Sequence, residues 1–385
     1  MSLRSLGMVA GEASGDLLAA AVLAGLLGNT PSLDCRGIGG PAMARLGFQN
    51  WWSIDALSVR GYVEVLREYP RLARMRNQLR ERMVAWQPTL FVGVDAPDFN
   101  LDLEFALRSR GLKTAHFISP SIWAWRRERI ERIRRAVDHM LLVFPFEQPL
   151  YDQAGIAATY VGHPLADAIP LQSDPVAARR ALGIDVTGEV VALLPGSRPA
   201  EIRYMAQEFI ETAQWLAARR APVTFVLPAA GSALFERLRT LLVTARLPDS
   251  VRLVLTQGRS HEALAACDVA LVASGTATLE AALFGKPMVI AYKMAWISYR
   301  IMRRMAYQPY IGLPNILLGA PVVPELLQEA ATAPAMGAAL LGLLDAPARR
   351  AEIGERFADL HRQLRRGCAG RAAAVLQELA DGPAR

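Results

Sequence analysis

Cysteine is scarce in this chain: three in 385 residues, Cys35, Cys267 and Cys368. They lie far apart, their number is odd and none forms a CxxC pair. A disulfide framework or a zinc site is therefore not expected, no cofactor is implied, and a reducing cytoplasm fits best. Long uncharged apolar runs are also missing. The most apolar stretch, 263–285, contains Asp268, Glu280 and a Ser-Gly-Thr turn signal, which reads as strand–turn–helix rather than as a membrane span. Glu12 and Asp16 interrupt the N-terminal apolar residues, which speaks against a signal peptide. There is no GxGxxG, so a dinucleotide fold is not indicated. Short-period repeats and low-complexity segments are absent.

What the chain does have is apolar mass. Hydrophobic residues make up 52% and charged residues 21%, enough to bury large cores, and the length suits two domains. The formal charge is +7, mostly through arginine, which favours an anionic partner without choosing among nucleic acid, lipid surface and phosphorylated substrate.

Short apolar runs alternate with helical stretches throughout. Strands are expected at Leu6–Ala10, up to Gly37-Ile38-Gly39-Gly40, and at Thr89–Val94, Thr114–Ile118, Met140–Phe144 and Thr159–Val161. A second series follows at Val190–Leu194, Val223–Leu227, Val251–Leu255, Val269–Ala273 and Met288–Ala291. Two arginine-rich helical stretches fill Gly61–Trp86, and the chain after Pro324 reads as helix to its end. Strands separated by helices imply parallel sheets covered on both faces. The proline-bounded linker 170–175 divides them. The fold expected is α/β, two doubly wound Rossmann-like domains facing a cleft: residues 1–170, residues 176–325, and C-terminal helices over 326–385. Ligands of such sheets sit at the carboxyl ends of the strands, so the turns there carry the chemistry.

In the second series, Leu194-Pro195-Gly196-Ser197-Arg198 combines a glycine turn, a helix N-terminus and an arginine suited to phosphate. Ser274-Gly275-Thr276 opens another helix, with Ser274 as its expected cap and Thr276 as a phosphate donor. Glu280, one turn further, can accept from two ribose hydroxyls. Each turn alone has an ordinary structural reading; together on one sheet edge they specify a nucleotide. In the first series, Gly11-Glu12-Ala13-Ser14-Gly15-Asp16 offers donors and acceptors, with Ser14 also expected to cap a helix. Asp95, Asp98 and Asn100 converge in VDAPDFN (94–100). Asp98 reads equally as a residue that sets the helix start, with Pro97, or as a catalytic carboxylate, and Asp95, at the strand end, has less structural excuse; either can act as general base for a hydroxyl nucleophile, with Asp95 the first choice. Trp123 and Trp125, beside Arg126 and Arg127, pack in the core or bound an apolar acceptor. His163 reads as structural before catalytic.

The motifs AGEASGD (10–16), GIGG with a following Met43, VDAPDFN, SPSIWAWR (119–126), PFE (145–147), VGHPLAD (161–167), LLPGSR (193–198), SGTATLE (274–280) and LPNIL (313–317) occur in that order. Over about residues 8–330 the chain resembles the lipid-A-disaccharide synthase family. The resemblance implies a GT-B glycosyltransferase working without a metal, a hexosyltransferase joining UDP-2,3-diacylglucosamine to 2,3-diacylglucosamine 1-phosphate. It implies Asp95 as the base and ties Arg198, Glu280 and Asn315 to UDP or activity. Glu12, Ser14, Asp16, Asn100 and Trp123 fall on the acceptor side. One departure is Arg60, where the family pattern implies methionine. Acylated substrates imply contact with an anionic membrane, hence a peripheral protein at the inner face of the cytoplasmic membrane. The stretch Arg67–Arg82, with Leu66, Tyr69, Leu72, Met75, Leu79 and Met83 among its arginines, is the first candidate surface, and Trp296–Tyr310 the second. No nucleic acid partner is expected, and a homodimer is placed at the C-terminal helices. The rivals are a UDP-sugar 2-epimerase-like enzyme and a non-catalytic nucleotide-binding protein.

Overall fold

The computed structural model describes residues 3–11, 13–57, 62–124, 127–248, 251–305 and 307–382, apart from the side chains at 13, 14, 62–69, 297 and 301. Glu12, Arg60, Trp125 and Arg126, and the side chains of Ser14, Leu66, Arg67 and Tyr69, lie outside the described residues. Contacts divide the chain into two compact units, Met1–Asp167 with Leu364–Arg385, and Ala168–Gln363.

The first unit is built on seven parallel strands: β1 (Ser5–Ala10), β2 (Asp34–Gly39), β3 (Gln49–Ser53), β4 (Leu90–Val94), β5 (Thr114–Phe117), β6 (His139–Leu142) and β7 (Ala158–Tyr160), in the order β3-β2-β1-β4-β5-β6-β7. The central strands are apolar on both faces, as helices on both sides require. β3 is not expected from the sequence, because Gln49-Asn50-Trp51-Trp52-Ser53 is a half-exposed edge strand without an apolar run. The two helical stretches before Trp86 form one helix, Tyr62–Trp86, with Pro70 inside it. Its Met75, Leu79 and Met83 are buried with Val9, Ile38, Phe91, Leu103 and Leu107.

The second unit holds β8 (Glu189–Leu194), β9 (Val223–Ala229), β10 (Arg252–Gln257), β11 (Val269–Ala273), β12 (Met288–Tyr292) and β13 (Glu325–Leu327), all parallel in the order β10-β9-β8-β11-β12-β13. The short β13 corrects the expectation of continuous helix after Pro324. Strand order reverses between β1 and β4 in the first unit and between β8 and β11 in the second. Helices diverge at such points and leave a crevice beyond the carboxyl ends.

The C-terminal helices are divided between the units. Ala333–Leu344 buries Met336, Leu340 and Leu343 in the second. Cys368–Asp381 packs on Ala13–Asn29 of the first, close enough that a Cβ at Gly25 would meet Ala369 O at 3.2 Å. Its N-terminus is capped by the Asp167 carboxylate and its last carbonyls by Lys113 Nζ, charges matched to the helix dipole. None of the large apolar side chains described beyond residue 325 is exposed.

Candidate active site

The reversal point of the second sheet opens into a cavity of about 290 Å³. Gly196, Ser197, Arg198, Ser274, Gly275, Thr276 and Glu280 all line it, so seven side chains or backbone segments expected on separate turns come together. Glu201, Ser260 and Tyr292 line it as well and are not singled out by the sequence reading. For Glu201 the available signal is its spacing three residues past the helix cap.

Glu201 shapes the first turn. Its Oε2 accepts from the N–H groups of Ser197 at 2.9 Å and Arg198 at 3.1 Å, closing a capping box on the helix Pro199–Ala217. Those two donors are therefore engaged, and this helix start offers neither of them to a ligand. Gly196 adopts φ +124°, and a Cβ there would lie 2.5 Å from Glu201 Cβ and Oε2. Both facts demand glycine. The Arg198 guanidinium is 73% exposed, with Glu201 Oε1 3.6 Å away.

The second turn keeps its donors. Gly275, at φ +151°, is the N-cap of the helix Thr276–Leu283, and no side chain caps it. The N–H of Thr278 bonds to Gly275 O at 3.1 Å, while those of Thr276 and Ala277 have no intrahelical acceptor. The Ser274 hydroxyl, expected as the cap, instead donates to Ile311 O at 3.2 Å. Glu280 Oε2 meets His261 Nε2 at 3.2 Å, and this contact holds the imidazole above its ordinary pKa.

Asn315 is not among the lining residues. It is 1% exposed, its Nδ2 donates to Val323 O and to Glu325 Oε1, both at 2.8 Å, and its Oδ1 accepts from Val323 N at 3.0 Å. Glu325 in turn accepts from the N–H groups of Ile311 and Gly312. Asn315 thus secures the segment to which Ser274 bonds. The expectation that it meets the nucleotide directly is corrected by this burial.

The reversal point of the first sheet carries Asp95. Asp95 and Ala96 both have positive φ, 54° and 44°, uncommon for residues with a Cβ. Gly11 makes the turn feasible, since a Cβ there would meet Ala96 Cβ at 2.2 Å. The Asp95 carboxylate makes no hydrogen bond or ion pair among the described residues and is half-buried. Asp98 differs: it is 74% exposed and paired with Arg129 at 3.0 Å and Arg132 at 3.6 Å. Asn100 is fully buried under the turn, where its Nδ2 donates to Asp95 O at 2.8 Å, so its acceptor-side role is corrected to a structural one.

Among the described residues no group of three or more His, Cys, Asp or Glu could hold a metal ion, and no helix is long and apolar enough to cross a membrane.

The family model described as lipid-A-disaccharide synthetase matches residues 6–377. The chain belongs to the lipid-A-disaccharide synthase family. It is 51% identical over 382 residues to the lipid-A-disaccharide synthase of Albidiferax ferrireducens, covering 97% of each chain. It is 53% identical over 369 residues to that of Thiobacillus denitrificans, covering 96% of this chain and 98% of the relative. The solved UDP-GlcNAc 2-epimerase of Neisseria meningitidis bound to UDP-GlcNAc is similar with a TM-score of 0.63 and 12% identity, covering 97% of this chain and 98% of that one, a likeness of fold. The chain is thus a GT-B hexosyltransferase of lipid A biosynthesis.

Several lipid-A-disaccharide synthase motifs prove architectural. The Asp16 carboxylate, 4% exposed, accepts from the N–H groups of Gly40 at 2.9 Å, Ala42 at 2.8 Å and Met43 at 3.1 Å. It clasps AGEASGD to GIGG and corrects the acceptor-side reading of Asp16. The helix begins at Ala13, so Ser14 stands inside its first turn rather than at its cap. Trp123 is 6% exposed, edge-on to Phe144 and Phe146, and so packs rather than bounding an acceptor. His163 stacks on Phe144, and burial pushes its imidazole down to about 4, neutral at pH 7. Beside them Glu147 is buried and pushed up to about 7.

Proposed function

We propose that the chain transfers a diacylglucosaminyl group from UDP-2,3-diacylglucosamine to the 6-hydroxyl of 2,3-diacylglucosamine 1-phosphate, giving a β-1,6-linked disaccharide phosphate and UDP. The observation that carries this reading is the cavity at the reversal point of the second sheet, in a chain of this family. Its walls supply what a uridine nucleotide sugar needs: an arginine and an uncapped helix N-terminus for the diphosphate, and a carboxylate for the ribose. UDP-GlcNAc is the bound molecule in the Neisseria relative of the same fold.

Inversion requires in-line attack. The acceptor oxygen forms the new bond to the anomeric carbon as the bond to the UDP oxygen breaks and its electron pair leaves with UDP. Asp95 takes the acceptor proton. Its carboxylate is unengaged among the described residues, whereas that of Asp98 is neutralised by Arg129 and Arg132. Arg198 and the N–H groups at Thr276 and Ala277 stabilise the charge growing on UDP. These contacts do what a divalent ion does elsewhere, so the reaction proceeds without one.

Both substrates carry acyl chains, and the protein meets an anionic membrane to reach them. The helix Trp296–Met305 suits this better than the Arg67–Arg82 stretch. Trp296 and Met302 are 58% and 49% exposed on it, beside Arg300, Arg303 and Arg304. In the other stretch Met75, Leu79 and Met83 are core residues, and Arg76 is tied to Asp102 at 2.6 Å.

Calorimetry with UDP tests the nucleotide site. Arg198→Ala and Glu280→Ala each weaken binding; unchanged affinity in both places the nucleotide elsewhere.

A further inference from the structure

The carboxylate in the cavity has a partner outside it. His261 is the second residue of the helix Ser260–Ala266, which follows β10, and Glu280 lies on the helix Thr276–Leu283, which follows β11. The sheet order brings these two helices to the same edge on either side of β8. His261 Nε2 stands 3.2 Å from Glu280 Oε2, and Phe284 packs against the ring with centroids 5.3 Å apart at 61°. The ring is thus held by an aromatic neighbour as well as by the carboxylate. Since Oε2 can only accept, the neutral ring carries its proton on Nε2. Glu280 Oε1 makes no hydrogen bond among the described residues, while Glu280 lines the cavity.

A glutamate is a long side chain with many rotamers, and ordering it on ligand binding opposes that binding. A contact that already fixes one oxygen lowers this cost. We propose that His261 is a positioning residue for the nucleotide sugar: by holding Oε2 it fixes the Glu280 carboxylate so that Oε1 receives the ribose hydroxyls. The inference rests on the reading of the cavity as a nucleotide site.

The pair also links binding to pH. Glu280 raises the His261 imidazole above its ordinary range, with Glu262 adding to it and burial opposing it. The other charges nearby are engaged. Arg259 is held by Glu262 and by Ala181 O, and Lys286 by the carbonyls of Ala265 and Cys267. Arg179, on the neighbouring helix Pro175–Leu182, is held by Asp268 and by backbone carbonyls. Below its raised pKa the ring is an imidazolium paired with a carboxylate. As pH rises through that value the ring keeps a neutral Nε2–H and the grip weakens.

The test is calorimetry of UDP binding by the full chain from about pH 6 to 9, comparing variants at each pH so that titration of the nucleotide cancels. His261→Ala weakens binding roughly 3- to 10-fold at the low end, with the difference shrinking as pH rises. His261→Gln, which keeps an N–H donor without a charge, recovers most of the affinity and loses the pH dependence. In turnover, His261→Ala raises KM for the nucleotide sugar and leaves kcat nearly unchanged, a split that a general loss of structure does not give. In a Glu280→Ala background, His261→Ala has no further effect. Wild-type affinity in His261→Ala at every pH overturns the proposal, as does a His261 effect that persists without Glu280, since the ring then acts through its own charge. If Glu280→Ala binds UDP normally while Arg198→Ala does not, the proposal for His261 is overturned and the nucleotide reading stands; if both bind normally, the nucleotide reading itself fails.

Discussion

The side-chain amide of Asn100 donates to the carbonyl of Asp95 at 2.8 Å, across a turn in which two residues with side chains hold positive φ. Such conformations cost about 1–2 kcal/mol each and persist where the surroundings over-determine them. Asn100 supplies that constraint from beneath while leaving the Asp95 carboxylate unengaged. Asn100→Ala therefore lowers stability by about 1–3 kcal/mol and reduces turnover, with UDP affinity preserved. Denaturant melts and calorimetry on the same preparation check this. Full activity in a stable variant shows that the turn does not need the amide.

Gly196→Ala places a Cβ 2.5 Å from Glu201 at a φ that only glycine adopts readily. The turn must shift, and UDP affinity falls by about tenfold or more, a loss of at least 1.4 kcal/mol. Glu201→Ala frees the Ser197 and Arg198 N–H groups and lowers the melting temperature through loss of the capping box. UDP titrations and thermal melts of the two variants measure these effects. Wild-type affinity in Gly196→Ala shows that the turn does not shape the nucleotide site.

Glu147 makes stability depend on pH. Burial raises its carboxyl from 4.5 to about 7. Below 4.5 both folded and unfolded chains hold this proton. Between 4.5 and 7 the unfolded chain releases it and the folded chain keeps it, so stability falls as pH rises through this window. Glu147→Gln removes that contribution, and its melting temperature declines less steeply across the same range. An identical slope in both proteins shows that Glu147 titrates normally.

Membrane contact is tested by charge reversal at Arg303 and Arg304, compared with reversal at Arg71 and Arg74. The first pair reduces co-sedimentation with anionic vesicles, most at low salt, each residue contributing roughly 1 kcal/mol. Reversal at Arg71 and Arg74 has the smaller effect, because the apolar residues described on that helix face the sheet. The opposite ranking moves the contact to the Tyr62–Trp86 helix.

Much of this arrangement is legible in the sequence for a physical reason. Central parallel strands such as Val190–Leu194 are apolar on both faces and stand out, and the turns after them must carry glycine where the backbone reverses. Gly196, Gly275 and Glu280 are found that way. Exposed edges such as β3 carry no such pattern. Polar residues at strand ends are ambiguous, because the residue types that bind ligands also satisfy backbone groups. Asp16, Asn100 and Asn315 read as ligand contacts, yet each is buried and bonded to main-chain groups of its own unit. His261 is missed because its partner, Glu280, is 19 residues away, on a different helix.

Sugar transfer with Asp95 as the base is open to direct measurement. The most direct measurement is mass spectrometry of the products after incubation with both acylated substrates, for the wild type and for Asp95→Ala at matched UDP occupancy. The wild type is expected to form one disaccharide phosphate per UDP released, and the variant to do so at a rate lower by about 10²–10⁴-fold. A wild type that converts the UDP-sugar without the acceptor, or an Asp95→Ala variant that forms disaccharide at the normal rate, would contradict this mechanism.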